Sequence, residues 1–310
     1  MKSQTALGGI MPALVTPYRE DGTIHHQSLV AIVERCLSAG ADGFYVCGST
    51  SEAFLLSKEE RKEVLTTVTE AVAQRAPVIA HIGSIRTDEA IELARHAEAL
   101  GVDAMSAVPP FYYAFRRDEV LGYYQDLLGA SDLPMVIYNF PASSGVTLDP
   151  SWASGLLLDP RVVAVKHTSM DLFRLERMRD IRPDLKVLNG YDEVYLGGLA
   201  LGADGAIGST FNLLTAYFRE IERRHRSGDV SDAHDLQVHI NRFIEVLITV
   251  GTFAGIKHLL TRCGISCGPC RRPFALLDDT DKLAVERAWE RLQTVPLDVE
   301  VPSRSSNAIV

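Results

Sequence analysis

A four-residue pattern that occurs three times constrains the fold of this chain more than any other feature of its sequence. It joins a glycine, a small residue, an aspartate and a second small residue, as Gly40-Ala41-Asp42-Gly43, Gly101-Val102-Asp103-Ala104 and Gly202-Ala203-Asp204-Gly205. Each copy follows a helical pattern and precedes an apolar run, so the glycine suits a left-handed helix C-cap. The copies lie 61 and 101 residues apart. At roughly 25–30 residues per strand–helix unit, those gaps hold two and four units, which predicts one repeating series.

Completing the series at this spacing gives eight apolar segments of strand length. We predict strands near residues 8–15, 43–47, 77–82, 103–108, 134–138, 162–166, 186–189 and 204–208. Helical periodicity separates them, and it is clearest over 58–75, where Ser57 is a plausible N-cap with Glu60 three residues later, and over 87–100. Eight strands that alternate with helices indicate an α/β fold, a (β/α)8 TIM barrel. An open doubly wound sheet is the alternative, but no Gly-x-Gly-x-x-Gly follows the first strand.

The chain beyond the eighth unit has helical periodicity over 232–250, 255–262 and 280–294. Only a turn at Ser227-Gly228-Asp229 precedes this part, so no flexible linker separates it from the barrel. We therefore predict a catalytic barrel of residues 1–228 with a C-terminal helical extension of residues 229–296 packed on it. Residues 297–310 are expected to form a frayed tail.

Composition argues against several classes of protein. The net charge is −9 without any lysine- or arginine-rich block, which disfavours nucleic acid or an anionic membrane as a partner. No apolar run approaches the ~20 residues of a membrane span, and the N-terminus lacks a long apolar segment, so we expect a cytoplasmic protein without a signal peptide. An odd count of five cysteines does not suggest a disulfide scaffold.

Three of the cysteines raise the question of a metal site. Cys263, Cys267 and Cys270 lie close together, and His258 is the only nearby candidate for a fourth ligand. A structural zinc site usually has four ligands, often from two Cys-x-x-Cys pairs, and no second pair exists here. We therefore expect thiols in a loop and no metal.

The residues that follow the strands are the candidates for a functional site, because barrel enzymes have their sites at the carboxyl ends of the strands. The sixth strand, 162–166, ends with Lys166, and polar residues follow at once. Burial disfavours an ammonium group and lowers its pKa, which makes a lysine nucleophilic, whereas a rim ion pair is the alternative role. Tyr138 occupies the equivalent end of the fifth strand, so we expect a phenol beside the amine, as imine chemistry needs.

Other strand ends carry polar side chains as well. The segment Gly48-Ser49-Thr50-Ser51-Glu52 offers N–H groups and hydroxyls that suit a carboxylate, although an ordinary capping turn has the same composition. Asp192 and Glu193, after the seventh strand, offer acceptors for a polyol. His81, after the third strand, is expected to be a hydrogen-bonded structural residue. No nucleophile elbow, Walker loop or His-Glu-x-x-His motif provides a competing site.

At these residues the chain resembles the N-acetylneuraminate lyase and dihydrodipicolinate synthase family over residues 7–294. Three motifs carry the resemblance: Gly48-Ser49-Thr50-x-Glu52, Tyr138-Asn139-x-Pro141 and Val165-Lys166-x-Thr168-Ser169. The resemblance implies a barrel with a helical C-terminal extension and a class I aldolase mechanism through a pyruvate-derived Schiff base. It also implies no cofactor and a homotetramer.

Within the family, the chain is most similar to the N-acetylneuraminate lyase branch. Ser143 stands two residues after Pro141, where dihydrodipicolinate synthases usually carry an arginine that binds a carboxylate. The resemblance thus implies reversible cleavage of N-acetylneuraminate to N-acetylmannosamine and pyruvate. The alternatives are another 2-keto-3-deoxy sugar acid aldolase or dehydratase, or a catalytically silent barrel that binds a sugar acid.

The resemblance also implies a role for individual residues. Lys166 would form the imine, Tyr138 would relay the proton of the C4 hydroxyl, and Tyr112 corresponds to a tyrosine that a neighbouring subunit directs toward the site. The implied substrate-binding residues are Ala13, Ser49, Thr50, Thr168, Gly190, Asp192, Glu193 and Ser209.

Two residues beside this site depart from the family pattern. Ser51 replaces the second glycine of Gly-Ser-Thr-Gly-Glu, and Met170 stands where the lyase branch usually has glycine. If either backbone has a positive φ, a side chain there costs about 1–3 kcal/mol of strain. We expect these changes to bear on substrate preference rather than on the Schiff base.

Overall fold

The computed structural model describes residues 7–298, and its centre is a ring of eight parallel strands. Neighbouring strands pair in the order β1-β8-β7-β6-β5-β4-β3-β2, and the ring closes through a 3.0 Å hydrogen bond from Leu14 N–H to the Tyr45 carbonyl. The prediction of a (β/α)8 barrel is therefore confirmed. The strands are β1 Gly9–Pro12, β2 Phe44–Val46, β3 Val78–His81, β4 Ala104–Ala107, β5 Met135–Asn139, β6 Val162–His167, β7 Lys186–Asn189 and β8 Gly205–Gly208.

Helices follow the strands and surround the ring. Those of the barrel are α1 His26–Ser38, α2 Lys58–Val72, α3 Thr87–Ala99, α4 Arg117–Ala130, α5 Pro141–Ser144, α6 Pro150–Leu157, α7 Leu172–Arg179, α8 Tyr195–Ala200 and α9 Phe211–Ser227. Those that follow the barrel are α10 Val230–Val250, α11 Thr252–Arg262 and α12 Asp279–Gln293. Short 3₁₀ turns at Ser49–Ser51, Ala53–Leu55 and Asp192–Val194 lie at the carboxyl ends of the strands.

The three repeated motifs have the same structure. Their glycines have the predicted left-handed backbone, with φ of 89°, 69° and 89° at Gly40, Gly101 and Gly202. The aspartate of each motif accepts a hydrogen bond from a backbone N–H of the preceding strand, which fixes the register of the two neighbours. These bonds run from Ile10 to Asp42, from Val78 to Asp103 and from Val187 to Asp204, at 2.8, 2.9 and 2.9 Å.

Helix α2 shows where local sequence decides a boundary and where it does not. Its N-terminus has the predicted capping box, because Ser57 Oγ accepts from Glu60 N–H at 3.1 Å and Glu60 Oε2 accepts from Ser57 N–H at 2.7 Å. The helix was expected to reach residue 75 but ends at Val72. Ala73 and Gln74 adopt left-handed backbones with φ of 48° and 62°. Neither alanine nor glutamine favours this conformation, so the sequence does not predict the end of the helix here.

The alternation of side chains along β6 explains how the barrel presents Lys166. Val165 packs between the sheet and the helices, whereas Ala164 belongs to the apolar cluster inside the ring. Because successive side chains of a strand point to opposite faces, Lys166 shares the inner face with Ala164. It therefore lies at the carboxyl end of a closed, apolar barrel interior.

Helices α10 and α11 pack on α9 of the barrel, α10 also contacts α8, and α12 packs on α10 and α11. A break at Gly251, where φ is 101°, separates α10 from α11. None of the helices between residues 7 and 298 has the length and apolar composition of a membrane span by itself; α10 and α11 have them only as a pair, which is bent by 110°. The division at residues 228 and 229 stays a prediction, and the expected tail lies outside the described residues from residue 299 onward.

Candidate active site

A cavity of about 540 Å³ opens at the carboxyl ends of the barrel strands. Nine of the predicted site residues line it, namely Ser49, Thr50, Tyr138, Lys166, Thr168, Gly190, Asp192, Glu193 and Ser209. Two others lie elsewhere. Ala13 is buried beneath the cavity and pairs with Tyr45, while Tyr112 lies on an exposed loop with a positive φ of 76°. The cavity thus brings together side chains from β2, β5, β6, β7 and β8.

Lys166 lies at the inner end of the cavity and is only 4% exposed. Its Nζ is 4.1 Å from the centre of the Tyr138 ring and 4.2 Å from that of Tyr45. Burial lowers the pKa of Lys166 from 10.5 to about 7, and the Asp192 carboxylate opposes this change. A substantial fraction of the amine is therefore neutral at physiological pH and can act as a nucleophile.

Tyr138 is the register partner of Lys166 in the neighbouring strand, as its position predicted. Burial raises the pKa of its phenol to about 12, and the hydroxyls of Ser49 and Thr168 beside it oppose the increase. Thr168 Oγ1 nevertheless makes no hydrogen bond of normal geometry within residues 7–298. Tyr138 is thus a neutral phenol at pH 7, suited to relay a proton between two oxygens rather than to remove one as a resident base.

His81 lies behind these rings and is part of the framework. Its Nδ1 is 2.9 Å from the Cys47 carbonyl, and Val108 N–H points to its Nε2 at 3.4 Å. Burial, together with the charges of Arg61 and Lys166, holds its pKa well below the usual value. His81 is therefore a neutral, hydrogen-bonded residue, in agreement with the prediction.

The turn after β2 forms the wall of the cavity opposite Lys166. Ser49 and Thr50 begin a 3₁₀ turn, so their N–H groups have no acceptor within it. Thr50 Oγ1 lies 2.6 Å from Ser209 Oγ of the last strand end. A side chain at Gly48 would lie 2.5 Å from the Tyr45 ring, which explains the glycine. The hydroxyls of Thr50 and Ser209 and the N–H groups of Ser49 and Thr50 are chemically suited to a carboxylate.

The two departures from the family pattern introduce no backbone strain. Positive φ occurs at non-glycine residues elsewhere within residues 7–298, but neither at Ser51 nor at Met170. Ser51 Oγ donates to the Leu14 carbonyl at 2.6 Å and so ties the turn to β1. Met170 is 56% exposed and lines the outer part of the cavity. Only Met170 is thus placed to meet a substrate.

The end of β7 supplies acidic groups to the other side of the cavity. Asp192 Oδ2 accepts from Thr210 N–H at 2.8 Å and from Thr210 Oγ1 at 2.7 Å. Burial nevertheless raises the pKa of Asp192 to about 6, and burial also raises that of Glu193. A Cβ at Gly190 would lie 1.9 Å from Thr168 Oγ1, so glycine permits β6 and β7 to meet here. These acceptors suit the hydroxyls of a sugar tail.

The sequence did not predict that the extension lines the cavity. Ile244 and Ile248 of α10, Phe253 of α11 and Phe274 of the loop that follows face it. The apolar periodicity of α10 indicated only a packed helix, and nothing in the sequence distinguishes the residues that pack from those that reach the cavity.

The cysteine-rich loop shows no metal-binding geometry. Among residues 7–298, no group of three or more cysteine, histidine or acidic side chains is placed to hold a metal ion. All five cysteines are unpaired, and His258 Nε2 lies 2.9 Å from Glu286 rather than near the thiols.

Comparisons with known proteins agree with this geometry. The N-acetylneuraminate lyase of Rhizobium meliloti (strain 1021) is 45% identical over 283 residues, which cover 91% of this chain and 94% of the relative. The structure of CdNal from Clostridium difficile in complex with mannosamine has 34% identity and a TM-score of 0.90, over 93% of this chain and 99% of that chain. A catalytic lysine mutant of the Ruminococcus gnavus sialic acid aldolase has 29% identity and a TM-score of 0.91, over 95% and 98%.

The family model described as the Dihydrodipicolinate synthetase family matches residues 6–292, nearly the whole described chain. The match includes every strand end that forms the cavity. The chain therefore belongs to the dihydrodipicolinate synthetase family, as its three motifs predicted.

Proposed function

We propose that this protein is an N-acetylneuraminate lyase, which reversibly cleaves N-acetylneuraminate to N-acetylmannosamine and pyruvate. The observation that carries the proposal is the amine of Lys166, which is buried beside the Tyr138 ring at the inner end of the cavity with a pKa of about 7. The named relatives are lyases and aldolases of sialic acid, so the prediction of a carbon–carbon lyase is confirmed.

The first stage is substrate binding and imine formation. We assign the substrate carboxylate to the N–H groups and hydroxyls of Ser49 and Thr50. The neutral amine of Lys166 then attacks the C2 ketone, which gives a carbinolamine. A proton from solvent converts the hydroxyl of the carbinolamine to water, which leaves. The product is a protonated imine, and this cation is the electron sink for the following step.

The second stage breaks the C3–C4 bond. Its electron pair moves into the imine and forms the enamine of pyruvate, while the C4 hydroxyl becomes the aldehyde of N-acetylmannosamine. Tyr138 accepts the C4 hydroxyl proton as it passes its own phenolic proton to a neighbouring oxygen, in keeping with a phenol that stays neutral at pH 7. Protonation of the enamine at C3 and hydrolysis of the imine then release pyruvate and regenerate Lys166.

A second candidate is a lyase or dehydratase for another 2-keto-3-deoxy sugar acid. Met170 favours it, because an exposed apolar side chain lines the same cavity as Asp192 and Glu193. The Schiff base would be unchanged, since Met170 lies outside the group that surrounds Lys166. The two candidates differ only in the part of the substrate beyond C4.

We also propose that the enzyme is a homotetramer and works in the cytoplasm. Tyr112 and Tyr113 are 85% and 63% exposed on one loop, which suits a contact between subunits. The five unpaired thiols suit a reducing compartment. Light scattering and fractionation of cells test the two statements; a monomer in solution, or protein found outside the cytoplasm, would refute them.

The decisive experiment combines two measurements on the purified protein. Borohydride reduction in the presence of pyruvate is expected to add one reduced pyruvate to Lys166, which peptide mass spectrometry locates. Pyruvate release is then measured with N-acetylneuraminate and with 2-keto-3-deoxy sugar acids that lack the N-acetyl group. If Lys166 shows no mass increase, the Schiff-base enzyme is excluded. If only the other sugar acids release pyruvate, the second candidate is correct.

A further inference from the structure

The nitrogen of Lys166 is surrounded by aromatic rings rather than by anions. The Tyr45 and Tyr138 ring centres are 5.9 Å apart with an interplanar angle of 82°, and Nζ lies 4.2 and 4.1 Å from them. Within residues 7–298, Lys166 takes part in no salt bridge, whereas the buried Lys257 forms one with Glu52. Asp192, whose charge acts on Lys166, directs one oxygen to Thr210.

The reaction proposed above places a positive charge at this nitrogen. When the carbinolamine takes up a proton and loses water, the imine nitrogen becomes cationic at a side chain that is only 4% exposed. Such a charge needs stabilisation, and the faces of tyrosine rings supply it because their π-electrons give them a negative potential.

We propose that Tyr45 is a further catalytic residue, whose ring face stabilises the protonated imine on Lys166 by a cation–π interaction. The inference rests on the proposed function and adds a residue to it. Tyr138 contributes a second face but is assigned the proton relay, whereas Tyr45 has only its ring to offer, because its hydroxyl is 3.0 Å from Ser106 Oγ.

The surroundings of Tyr45 hold its ring in this position. The residue is fully buried in the apolar cluster inside the barrel, although its strand neighbours Phe44 and Val46 pack on the helix side. Gly48 leaves the space that the ring occupies, since a Cβ there would lie 2.5 Å from Tyr45 Cε1. A ring clamped at its hydroxyl and along its edge cannot rotate away when the charge forms.

The experiment lowers the negative potential of the ring face in steps while the shape of the side chain stays nearly constant. Tyr45 is replaced by Phe and then, by unnatural amino acid incorporation, by phenylalanines with one, two and three ring fluorines. The pyruvate concentration that gives half-maximal borohydride trapping on Lys166 is measured at about pH 8.5, where the free amine is neutral in every variant. We expect the required pyruvate concentration to rise in a graded series with each added fluorine, so that the trifluoro variant needs about tenfold more pyruvate than Y45F.

The same fluorinated series at Tyr18 is the matched control, because that ring lies 4.2 Å from Nζ of the other buried lysine, Lys257. It is expected to leave pyruvate trapping unchanged, and melting temperatures show whether each variant folds. If the folded Tyr45 variants all trap pyruvate at the same half-maximal concentration, the role of Tyr45 is refuted while the proposed function stands. If the unaltered enzyme traps no pyruvate, the proposed function fails instead.

Discussion

Two lysines are buried within residues 7–298, one in the barrel and one in the helical extension, and they differ in a way that separates chemistry from architecture. Lys166 of β6 and Lys257 of α11 are 4% and 1% exposed. Each nitrogen lies close to a tyrosine ring, at 4.1 Å from Tyr138 and 4.2 Å from Tyr18 respectively. Lys257 also forms an ion pair with the buried carboxylate of Glu52, whereas Lys166 has no such partner within residues 7–298.

The presence or absence of a carboxylate decides what each lysine can do. Glu52 follows the Ser49–Ser51 turn and also accepts from Arg271 N–H at 2.7 Å, so its pair with Lys257 fastens the cavity wall to the extension. Burial without a paired carboxylate lowers the pKa of Lys166 to about 7 and prepares it for nucleophilic attack. The protein thus contains one buried lysine that is paired with a carboxylate and one that is not, and the proposed reaction uses the second.

The largest expected effect is that of K166M. The substitution removes the only group assigned to form the imine, so trapping of pyruvate is expected to vanish and turnover to fall by about 10⁴-fold or more. It also removes a buried, unpaired ammonium, so the free energy of unfolding at pH 6 is expected to rise by about 1–3 kcal/mol. Mass spectrometry after borohydride reduction and urea unfolding measure the two results. A variant that still traps pyruvate would place the nucleophile elsewhere.

K257M is expected to have the opposite effect on stability. It leaves the buried Glu52 carboxylate without its cation, which costs about 3–5 kcal/mol in a protein interior. The double variant E52Q/K257M is the control, because it removes both charges and is expected to recover part of the loss. Urea unfolding of the three proteins measures the difference. If K257M is as stable as K166M, the two lysines do not differ as the structure indicates.

The tyrosines beside the two lysines give the next comparison. Y138F removes the proposed relay but keeps the ring, so pyruvate trapping is expected to persist while turnover of N-acetylneuraminate falls by about 10²–10³-fold. Y18F is the matched control, because the Tyr18 hydroxyl has no hydrogen-bond partner within residues 7–298 and is not near the cavity. Y18F is expected to retain turnover within about twofold, because the substitution removes a hydroxyl that makes no hydrogen bond within residues 7–298 and leaves the ring in place. Unchanged turnover in Y138F would remove Tyr138 from the mechanism.

Local patterns in the sequence were sufficient for the barrel and for the reactive pair. The spacing of the repeated glycine–aspartate motifs predicted the spacing of the strands. In every motif the glycine has a left-handed backbone and the aspartate accepts a hydrogen bond from a strand N–H, as these residue types allow. Tyr138 and Lys166 occupy equivalent positions near the ends of neighbouring parallel strands, and they are register partners in the structure.

The features that the sequence did not predict depend on long-range contacts. Glu52 and Lys257 are 205 residues apart, and neither lies in a pattern that distinguishes a buried ion pair from two surface charges. In the sequence, Tyr45 cannot be distinguished from other apolar strand residues, and only the closed barrel places its ring beside Lys166. Cys47 adopts a positive φ without being glycine, and its contacts with Arg61 and His81, far away in the sequence, accompany that turn.

The smallest expected effect is a pH dependence specific to Lys166. Its amine is protonated below a pKa of about 7, so pyruvate release at low substrate is expected to rise about tenfold per pH unit up to that value and then level off. Asp192 titrates nearby, with a pKa raised to about 6. D192N is the control, and it is expected to move the step to lower pH without abolishing it, because the Asp192 carboxylate opposes the lowering of the Lys166 pKa. A rate that still rises at pH 9, as for an exposed lysine, would contradict the assignment.

The same shift has a consequence for stability whose sign follows from proton binding. The folded pKa of Lys166 lies below the ordinary value of 10.5, so between pH 7 and 10.5 the unfolded chain binds one proton more than the folded chain. Folding therefore becomes more favourable as the pH rises through this window, and the stability advantage expected for K166M at pH 6 is expected to shrink. Urea unfolding of both proteins from pH 6 to pH 10 measures it. An advantage that stays constant with pH would show that Lys166 is not the group that titrates.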